Sequence, residues 1–243
     1  MVDILEVKNL QKNFGHLTAV GDLSFEVKQG EILGLMGPNG AGKTTVFNLL
    51  TGVFKPDRGS ILFNGQDITE KTPHDRCRLG LGRTYQIPQP FEKMTVFENL
   101  LVCAVHGGRM SEKQAKPYVD DILDQIKLSK YRNDFSGGLS LLNRKRLELG
   151  KALATRPKLV LIDEVAGGLT EKESEELLLI VKGIQQQGIT IIWIEHILMM
   201  MSEGGVDRLL VIADGGRRLQ CGLPAEVMSS QDVLECYLGA EEE

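Results

Sequence analysis

The chain has 243 residues, of which 42% are hydrophobic and 25% are charged, and its formal net charge is −5. This composition is typical of a soluble globular protein with one large or two small domains. The net negative charge and the lack of a long basic run argue against nucleic-acid binding as the main function. The densest basic cluster, Arg144-Lys145-Arg146, lies in an amphipathic stretch, and we predict that it forms a solvated helix face.

Neither the cysteines nor the apolar stretches indicate an oxidising or membrane environment. No Cys-x-x-Cys pair is present, so we predict reduced thiols in a cytosolic protein for Cys77, Cys103, Cys221 and Cys236. No apolar stretch is long enough to cross a bilayer, and Met1-Val2-Asp3 does not begin a secretory signal. We therefore expect a soluble chain that reaches a membrane only through a partner.

The first elements in chain order are short strands around a strand–loop–helix unit. Ile4–Val7 and Leu23–Val27 alternate apolar and polar residues, as half-buried strands do. Glu31–Met36 is an apolar run typical of a buried strand. Val46–Leu50 predicts the first turns of a helix, with Gly52 as its C-terminal stop.

The segment between that buried strand and that helix fits the phosphate-loop pattern G-x-x-x-x-G-K-[ST]. It reads Gly37-Pro38-Asn39-Gly40-Ala41-Gly42-Lys43-Thr44-Thr45. Such a junction directs backbone N–H groups and the positive helix end to one spot, which suits a triphosphate. Lys43 would reach the β- and γ-phosphates, and the Thr44 hydroxyl would ligate Mg²⁺. A glycine-rich turn without a ligand is the alternative, and the flanking elements favour nucleotide binding.

The middle of the chain changes from a hairpin to helices. Ser60–Phe63 followed by Asn64-Gly65 predicts a strand and a tight hairpin turn. From about Thr95 to Ala154 the pattern is helical, with apolar residues at helical spacing at Val119, Ile122, Leu123 and Ile126.

The last part of the chain alternates strands and helices. Leu159–Ile162 is a buried strand, and Thr170–Glu173 has the form of a capping box that opens a helix ending near Gly188. Ile189–Ile194 is the next strand. This alternation predicts an α/β fold with a mostly parallel sheet covered by helices.

Two of these strands end in side chains suited to phosphate chemistry. Asp163 and Glu164 follow the first strand, and buried parallel strands place ligands at their C-terminal ends. Asp163 suits Mg²⁺ because a hard cation prefers carboxylate oxygen, and Glu164 is the candidate general base for the attacking water. His196 follows the second strand, where an imidazole could contact the γ-phosphate.

Together these motifs resemble the ATP-binding subunit of an ABC transporter over essentially the whole chain. Pro90–Asn99 and Tyr237-Leu238-Gly239 are similar to the subfamily that serves branched-chain amino acid importers. The resemblance implies a P-loop NTPase core with a mostly parallel sheet, an N-terminal antiparallel β subdomain and an inserted helical subdomain. We expect one domain over 1–243, with helical residues at about 87–155 and a C-terminal extension at about 215–243.

The resemblance also implies residue roles. Phe14 matches the aromatic residue that stacks on adenine, with a core phenylalanine as the alternative. Gln86 matches the glutamine that senses Mg²⁺ and the γ-phosphate and leads into the helical subdomain, and His196 matches the switch histidine. The implied catalytic residues are Glu164, His196, Lys43 and Gln86. The implied nucleotide-binding residues are Phe14, Gly37 to Thr45, Gln86, Ser140, Asp163 and His196, with Thr44, Gln86 and Asp163 at the metal.

The chain departs from the family's signature motif, which is usually L-S-G-G-Q. Ser136–Leu139 looks similar, but counting back from the acidic strand places the signature at Leu139-Ser140-Leu141-Leu142-Asn143. Ser140 is kept and both glycines are leucines, which would restrict close approach of the backbone to a phosphate. Val165, where proline is usual, and Thr170, where aspartate is common, are further departures.

The family pattern implies ATP and Mg²⁺ as cofactors and several protein partners. Two ATP-binding subunits would close over two ATP molecules and move two transmembrane permease subunits at the cytoplasmic face of the cell membrane. A solute-binding protein would take part indirectly, and no nucleic acid is expected. Because of the altered signature we expect a heterodimer with a second ATP-binding subunit, and a homodimer stays open.

Three other functions are weighed against this one. A non-transport ABC ATPase usually has two ATP-binding halves or long coiled coils, for which this chain has no room. A small-molecule kinase would need an acceptor pocket, which the sequence does not reveal. An ATP-dependent switch with little turnover is compatible with the altered signature. The cargo is also open, since branched-chain amino acids, urea, amides and small organic acids are all compatible with the sequence.

Overall fold

The computed structural model describes residues 2–202 and 204–238, without the side chains of Leu198 and Leu238. Gly239, part of the C-terminal motif noted above, lies outside these residues. The chain divides into two compact units, one of residues 1–76 and 190–243 and one of residues 77–189. The single domain over 1–243 and its inner bounds at 87–155 and 215–243 stay predictions.

The elements have the following bounds. The strands are β1 Asp3–Phe14, β2 Leu17–Lys28, β3 Ile32–Met36, β4 Arg58–Phe63, β5 Gln66–Asp67, β6 Leu81–Arg83, β7 Leu159–Asp163, β8 Thr190–Ile194, β9 Arg208–Ala213 and β10 Arg217–Gly222. The α-helices are α1 Lys43–Thr51, α2 Pro73–Leu79, α3 Val96–His106, α4 Glu112–Gln125, α5 Leu141–Ala154, α6 Glu171–Gln186, α7 Leu198–Met201, α8 Pro224–Met228 and α9 Gln231–Leu238.

The first unit contains an antiparallel sheet with the strand order β2-β1-β4-β5. The two predicted strands are confirmed, but β1 and β2 run for twelve residues each because bulges let them continue past interruptions in the apolar pattern. Asn9 and Asp22 take left-handed backbone angles (φ 48° and 55°), and Asn9 Nδ2 donates to Asp22 Oδ1 at 2.8 Å. The predicted hairpin turn at Asn64 and Gly65 is also confirmed, with φ angles of 50° and 72°.

The parallel part of the first unit is built around β3. β3 pairs in parallel with β8 on one side and with β9 on the other, and β10 is antiparallel to β9. Every residue of β3 and β8 is buried, as the continuous apolar runs predict. Leu35 pairs with Ile194, so the segments that follow β3 and β8 leave the same edge of the sheet.

The Gly52 N–H and the Arg76 side chain cap the C-terminal end of helix α1. It ends at the predicted Gly52 (φ 78°), whose N–H donates to the Leu49 carbonyl at 3.2 Å. The buried Arg76 guanidinium donates to the carbonyls of Leu49 and Leu50 at 2.6 and 2.8 Å, and burial lowers the pKa of Arg76 to about 10. The helix starts at Lys43, one turn before the predicted Val46.

The second unit contains the parallel pair β6–β7 and the long helices of the chain. The predicted helical stretch is confirmed by α3, α4 and α5, and the apolar residues spaced along α4 and at its C-terminal end are buried. The predicted capping box at Thr170 is also confirmed, because its side chain accepts from the Glu173 N–H while Glu173 accepts from Thr170. Helix α6 ends at Gln186, near the predicted Gly188.

The prediction of a solvated face for the basic cluster on α5 is wrong. Lys145 is 3% exposed and Arg146 is 7% exposed. Lys145 Nζ donates to the Glu164 carbonyl at 3.4 Å, and the Arg146 guanidinium pairs with the Glu176 carboxylate. The helical repeat places these residues inward, and their long apolar stems make this burial compatible with an amphipathic pattern.

Two further expectations can be compared with the described part of the chain. All four cysteines are free thiols there, as predicted. Among the residues described, none of the helices combines the length and apolar character that a membrane span needs.

Candidate nucleotide-binding site

The phosphate loop of the first unit has a backbone that only glycine accommodates at its key positions. Gly40 and Gly42 have φ angles of 85° and 92°, in the left-handed region. A side chain at Gly42 would place its Cβ 2.2 Å from the Ala19 carbonyl oxygen, and one at Gly37 would lie 2.3 Å from the Ile212 carbonyl oxygen. The loop is thus held tightly between neighbouring backbone segments.

Lys43 begins α1 and folds back over the loop. Its ammonium donates to the carbonyls of Gly37 and Pro38 at 2.7 and 3.0 Å, and the side chain is 7% exposed. Thr44, the next residue, is exposed. An anion at the N-terminus of α1 would meet backbone N–H groups, the helix dipole and a lysine that can exchange carbonyl acceptors for phosphate oxygens.

Phe14 lies at the end of β1 with 44% of its surface exposed. Its ring packs edge-to-face on Phe54 with centroids 5.2 Å apart, and Lys12 Nζ lies 5.6 Å from the Phe14 centroid. An exposed, braced aromatic ring of this kind offers a face for stacking, whereas a core phenylalanine would be buried.

His196 follows β8, beside the strand that precedes the phosphate loop. The residue is exposed, and its N–H donates to Glu195 Oε2 at 3.2 Å. Because β3 and β8 are parallel neighbours, His196 and the phosphate loop leave the same sheet edge within this unit.

In the second unit, Asp163 and Glu164 stand at the end of β7 as predicted. Asp163 is 5% exposed, and Glu164 has a left-handed backbone (φ 43°), which is unusual for a residue with a side chain. Such strain is found most often where a side chain must be aimed. Gln86 Nε2 donates to Glu164 Oε2 at 2.5 Å, so the structure brings together two residues that the sequence analysis selected separately.

Ser140 caps the start of α5. Its hydroxyl accepts from the Asn143 N–H at 3.4 Å, and Ser140 itself is exposed. Ser136–Gly138 forms a separate short 3₁₀ turn before it. The altered motif Leu139–Asn143 therefore stands at the N-terminus of a helix, where the sequence register placed it.

Two neighbours of these residues were not selected from the sequence. Arg83 forms an ion pair with Asp163 at 3.0 Å. Its position three residues before Gln86 in the chain could have indicated that Arg83 lies near the site. Tyr237 of α9 faces the Gly37 backbone, and burial raises its pKa to about 12 while the Gly37 backbone opposes that rise. The sequence analysis noted Tyr237 only as part of a motif that resembles the family. No sequence pattern could predict its contact with Gly37, which lies 200 positions earlier in the chain.

The residues present offer oxygen donors suited to a hard cation. Among the described residues, no group of three or more His, Cys, Asp or Glu side chains could hold a metal by itself. The Thr44 hydroxyl and the Asp163 carboxylate are each of the donor type that Mg²⁺ accepts, and Mg²⁺ usually takes few protein ligands together with phosphate oxygens. These features are those of a P-loop nucleoside-triphosphate-binding fold.

Comparison with known proteins identifies the family. The family described as ABC transporter matches residues 20–167. The chain is 35% identical over 252 residues to the high-affinity branched-chain amino acid transport ATP-binding protein BraF of Pseudomonas aeruginosa, covering 97% of this chain and 98% of the relative. It is 30% identical to the lipopolysaccharide export system ATP-binding protein LptB of Haemophilus influenzae, with 99% of each chain covered.

Solved structures agree with these relatives. A nucleotide-free ATP-binding cassette from an ABC transporter superposes with a TM-score of 0.89 at 32% identity, covering 97% of this chain and 99% of that one. The ADP conformation of an ATP-binding cassette gives a TM-score of 0.88 at 32% identity, covering 98% and 100%. The chain belongs to the ABC transporter family as an ATP-binding subunit, and it is an ATPase. The predicted fold class and enzyme class are confirmed.

Proposed function

We propose that this chain hydrolyses ATP to power an importer of branched-chain amino acids or related small polar solutes. The observation that carries the proposal is full-length similarity, at 34–35% identity, to ATP-binding proteins named for branched-chain amino acid transport. The relative named for lipopolysaccharide export is 30% identical, which makes export of a lipid the second candidate.

The proposed division of roles follows the geometry within each unit. Residues 37–45 bind the phosphates of ATP, and Lys43 leaves the Gly37 and Pro38 carbonyls to contact them. Phe14 stacks on adenine. Thr44, Asp163 and Gln86 would hold Mg²⁺, which supplies charge neutralisation on the phosphate oxygens when bound.

Glu164 and His196 complete the proposed catalytic set. Glu164 accepts a proton from the water that attacks the γ-phosphate, and its hydrogen bond from Gln86 aims the carboxylate. His196 contacts the γ-phosphate and orients that water. Ser140 presents the start of α5 to the nucleotide of an opposing subunit.

The proposed partners are two transmembrane permease subunits, a second ATP-binding subunit and, indirectly, a solute-binding protein. The chain would dock on the permeases at the cytoplasmic face of the membrane. The heterodimer is favoured because Leu141 and Leu142 replace the glycines of the usual signature, and bulky residues there restrict close backbone approach to phosphate.

The catalytic part of the proposal is tested with Glu164→Gln. This variant should still bind ATP, while the hydrolysis rate of the assembled transporter should fall about 10²–10⁴-fold, because general-base catalysis is lost. The rate is measured as phosphate release in membranes or detergent with the partner subunits present. Glu175→Gln on the exposed side of α6 makes the same chemical change and should leave the rate unaltered. A Glu164→Gln rate within a few-fold of the parent would refute the role of Glu164.

The cargo is tested by uptake. Cells of the source organism that lack this chain should lose energy-dependent uptake of labelled leucine, and the parent chain should restore it whereas Lys43→Ala should not. Normal leucine uptake together with lost lipopolysaccharide export would replace the importer with the second candidate.

A further inference from the structure

Arg83 forms a buried ion pair with the acid proposed to hold the metal. Arg83 Nη2 lies 3.0 Å from Asp163 Oδ2, and the two side chains are 8% and 7% exposed. Water therefore screens this pair little, and charge-assisted hydrogen bonds of this kind are strong. A carboxylate buried to this degree is costly unless a partner balances its charge.

The backbone holds this pair in register. β6 and β7 run in parallel with Arg83 opposite Leu161, and the Thr84 N–H donates to the Leu161 carbonyl at 2.9 Å. The buried Thr84 hydroxyl accepts from the Asp163 N–H at 3.1 Å. Thr84 therefore binds the backbone of Asp163, and Arg83 binds its carboxylate. Three residues after Arg83, the Gln86 side chain donates a hydrogen bond to Glu164.

The arginine charge has a consequence for metal binding. A divalent cation on Asp163 would stand close to the guanidinium, and repulsion between a double and a single positive charge at short range in a buried site is large. The ion pair also engages one carboxylate oxygen. Arg83 offsets the negative charge of Asp163, so Asp163 attracts a free cation less than it would without this arginine.

We propose that Arg83 is an internal counter-ion of Asp163 and weakens the binding of a divalent cation to Asp163 when no nucleotide is bound. The proposal rests on the proposed role of Asp163 at the metal. Arg83 acts through Asp163 as a positioning residue and does not itself touch the nucleotide. It lowers the affinity of Asp163 for a free cation, and it holds the carboxylate in place.

The test is binding of Mn²⁺ alone, without nucleotide, followed by electron paramagnetic resonance of the free ion. Arg83→Gln should bind Mn²⁺ about tenfold more tightly than the parent, a typical size for coupling between two neighbouring sites. Arg83→Lys keeps the charge and should behave like the parent. Adding Asp163→Asn to Arg83→Gln should abolish the gain.

A matched control removes an arginine charge elsewhere in the same unit. Arg132→Gln breaks the surface pair with Asp120, whose side chains are 39% and 50% exposed, and it should not change Mn²⁺ binding. Unchanged or weaker Mn²⁺ binding by Arg83→Gln would overturn the proposal. So would a gain that persists when Asp163 is also replaced, or an equal gain in Arg132→Gln.

A stability cycle keeps the proposal testable if Arg83→Gln folds poorly. That variant removes a positive charge that is paired with a buried carboxylate, so replacing Asp163 by Asn in the same chain should raise the unfolding midpoint again. A double variant that is less stable than Arg83→Gln would overturn the ion-pair account. Failure of the parent to bind ATP would instead refute the proposed function, because neither the Mn²⁺ comparison nor the stability cycle uses a nucleotide.

Discussion

Gly40 and Gly42 of the phosphate loop are required to be glycine for different physical reasons. Gly40 and Gly42 both have left-handed backbone angles, which cost a residue with a Cβ about 1–2 kcal/mol. A Cβ at Gly40 would meet open space, whereas one at Gly42 would lie 2.2 Å from the Ala19 carbonyl oxygen. Backbone strain and steric exclusion therefore act together at Gly42, and strain alone acts at Gly40.

This difference predicts unequal effects of the same substitution. Gly40→Ala should lower the free energy of unfolding by about 1–2 kcal/mol. Gly42→Ala should lower it by about 2–5 kcal/mol, because overpacking against a backbone oxygen is added to the strain. Urea denaturation of the two variants measures this difference. Equal losses would show that the loop relaxes away from Ala19.

At the scale of elements, the helix starts are stabilised to different degrees. Thr170 at the start of α6 forms a reciprocal capping box with Glu173. Each cap hydroxyl accepts an N–H at 3.4 Å, Ser140 from Asn143 and Thr170 from Glu173. At α6, however, the Glu173 carboxylate also accepts from the Thr170 N–H and from the Thr170 hydroxyl, both at 2.9 Å. The start of α5 is therefore the less strongly capped of the two, and it is also the helix start proposed to face the nucleotide of an opposing subunit.

Alanine substitution should separate the two caps. Thr170→Ala should cost about 1–2 kcal/mol of unfolding free energy and Ser140→Ala about 0.5 kcal/mol, the two ends of the range for N-cap removal. Thr170→Ser keeps the hydroxyl and should restore nearly all of the loss. Thermal or urea unfolding of the three variants measures these losses of unfolding free energy. A larger loss for Ser140→Ala than for Thr170→Ala would contradict the prediction.

At the scale of the whole molecule, the sequence predicted most elements and left out specific long-range contacts. The Asn64-Gly65 turn and the Thr170 capping box were predictable because their chemistry is local. The burial of Lys145 and the pairing of Arg83 with Asp163 were not, because each depends on a partner brought near by the fold. The length of β1 was also missed, because a left-handed Asn9 interrupts its alternation.

For the same reason the candidate site was predicted as separate motifs. The phosphate loop, Asp163 and Glu164 each follow an apolar strand, and that order is visible in the sequence. The bond between Gln86 and Glu164 joins residues 78 positions apart, and only the fold reveals it. Local sequence patterns say even less about oligomeric assembly. The proposed heterodimer is inferred from the steric effect of two leucines at the start of α5.

The most direct single measurement is the mass in solution, with bound nucleotide counted, of the Glu164→Gln variant with and without Mg²⁺ and ATP. The variant lacks the proposed base, so any ATP-closed state should persist. We expect one ATP per chain and a monomer at all ATP concentrations, because Leu141 and Leu142 hinder closure on a second copy. A dimer formed with ATP would contradict the heterodimer, and a chain that retains no ATP would contradict the account as a whole.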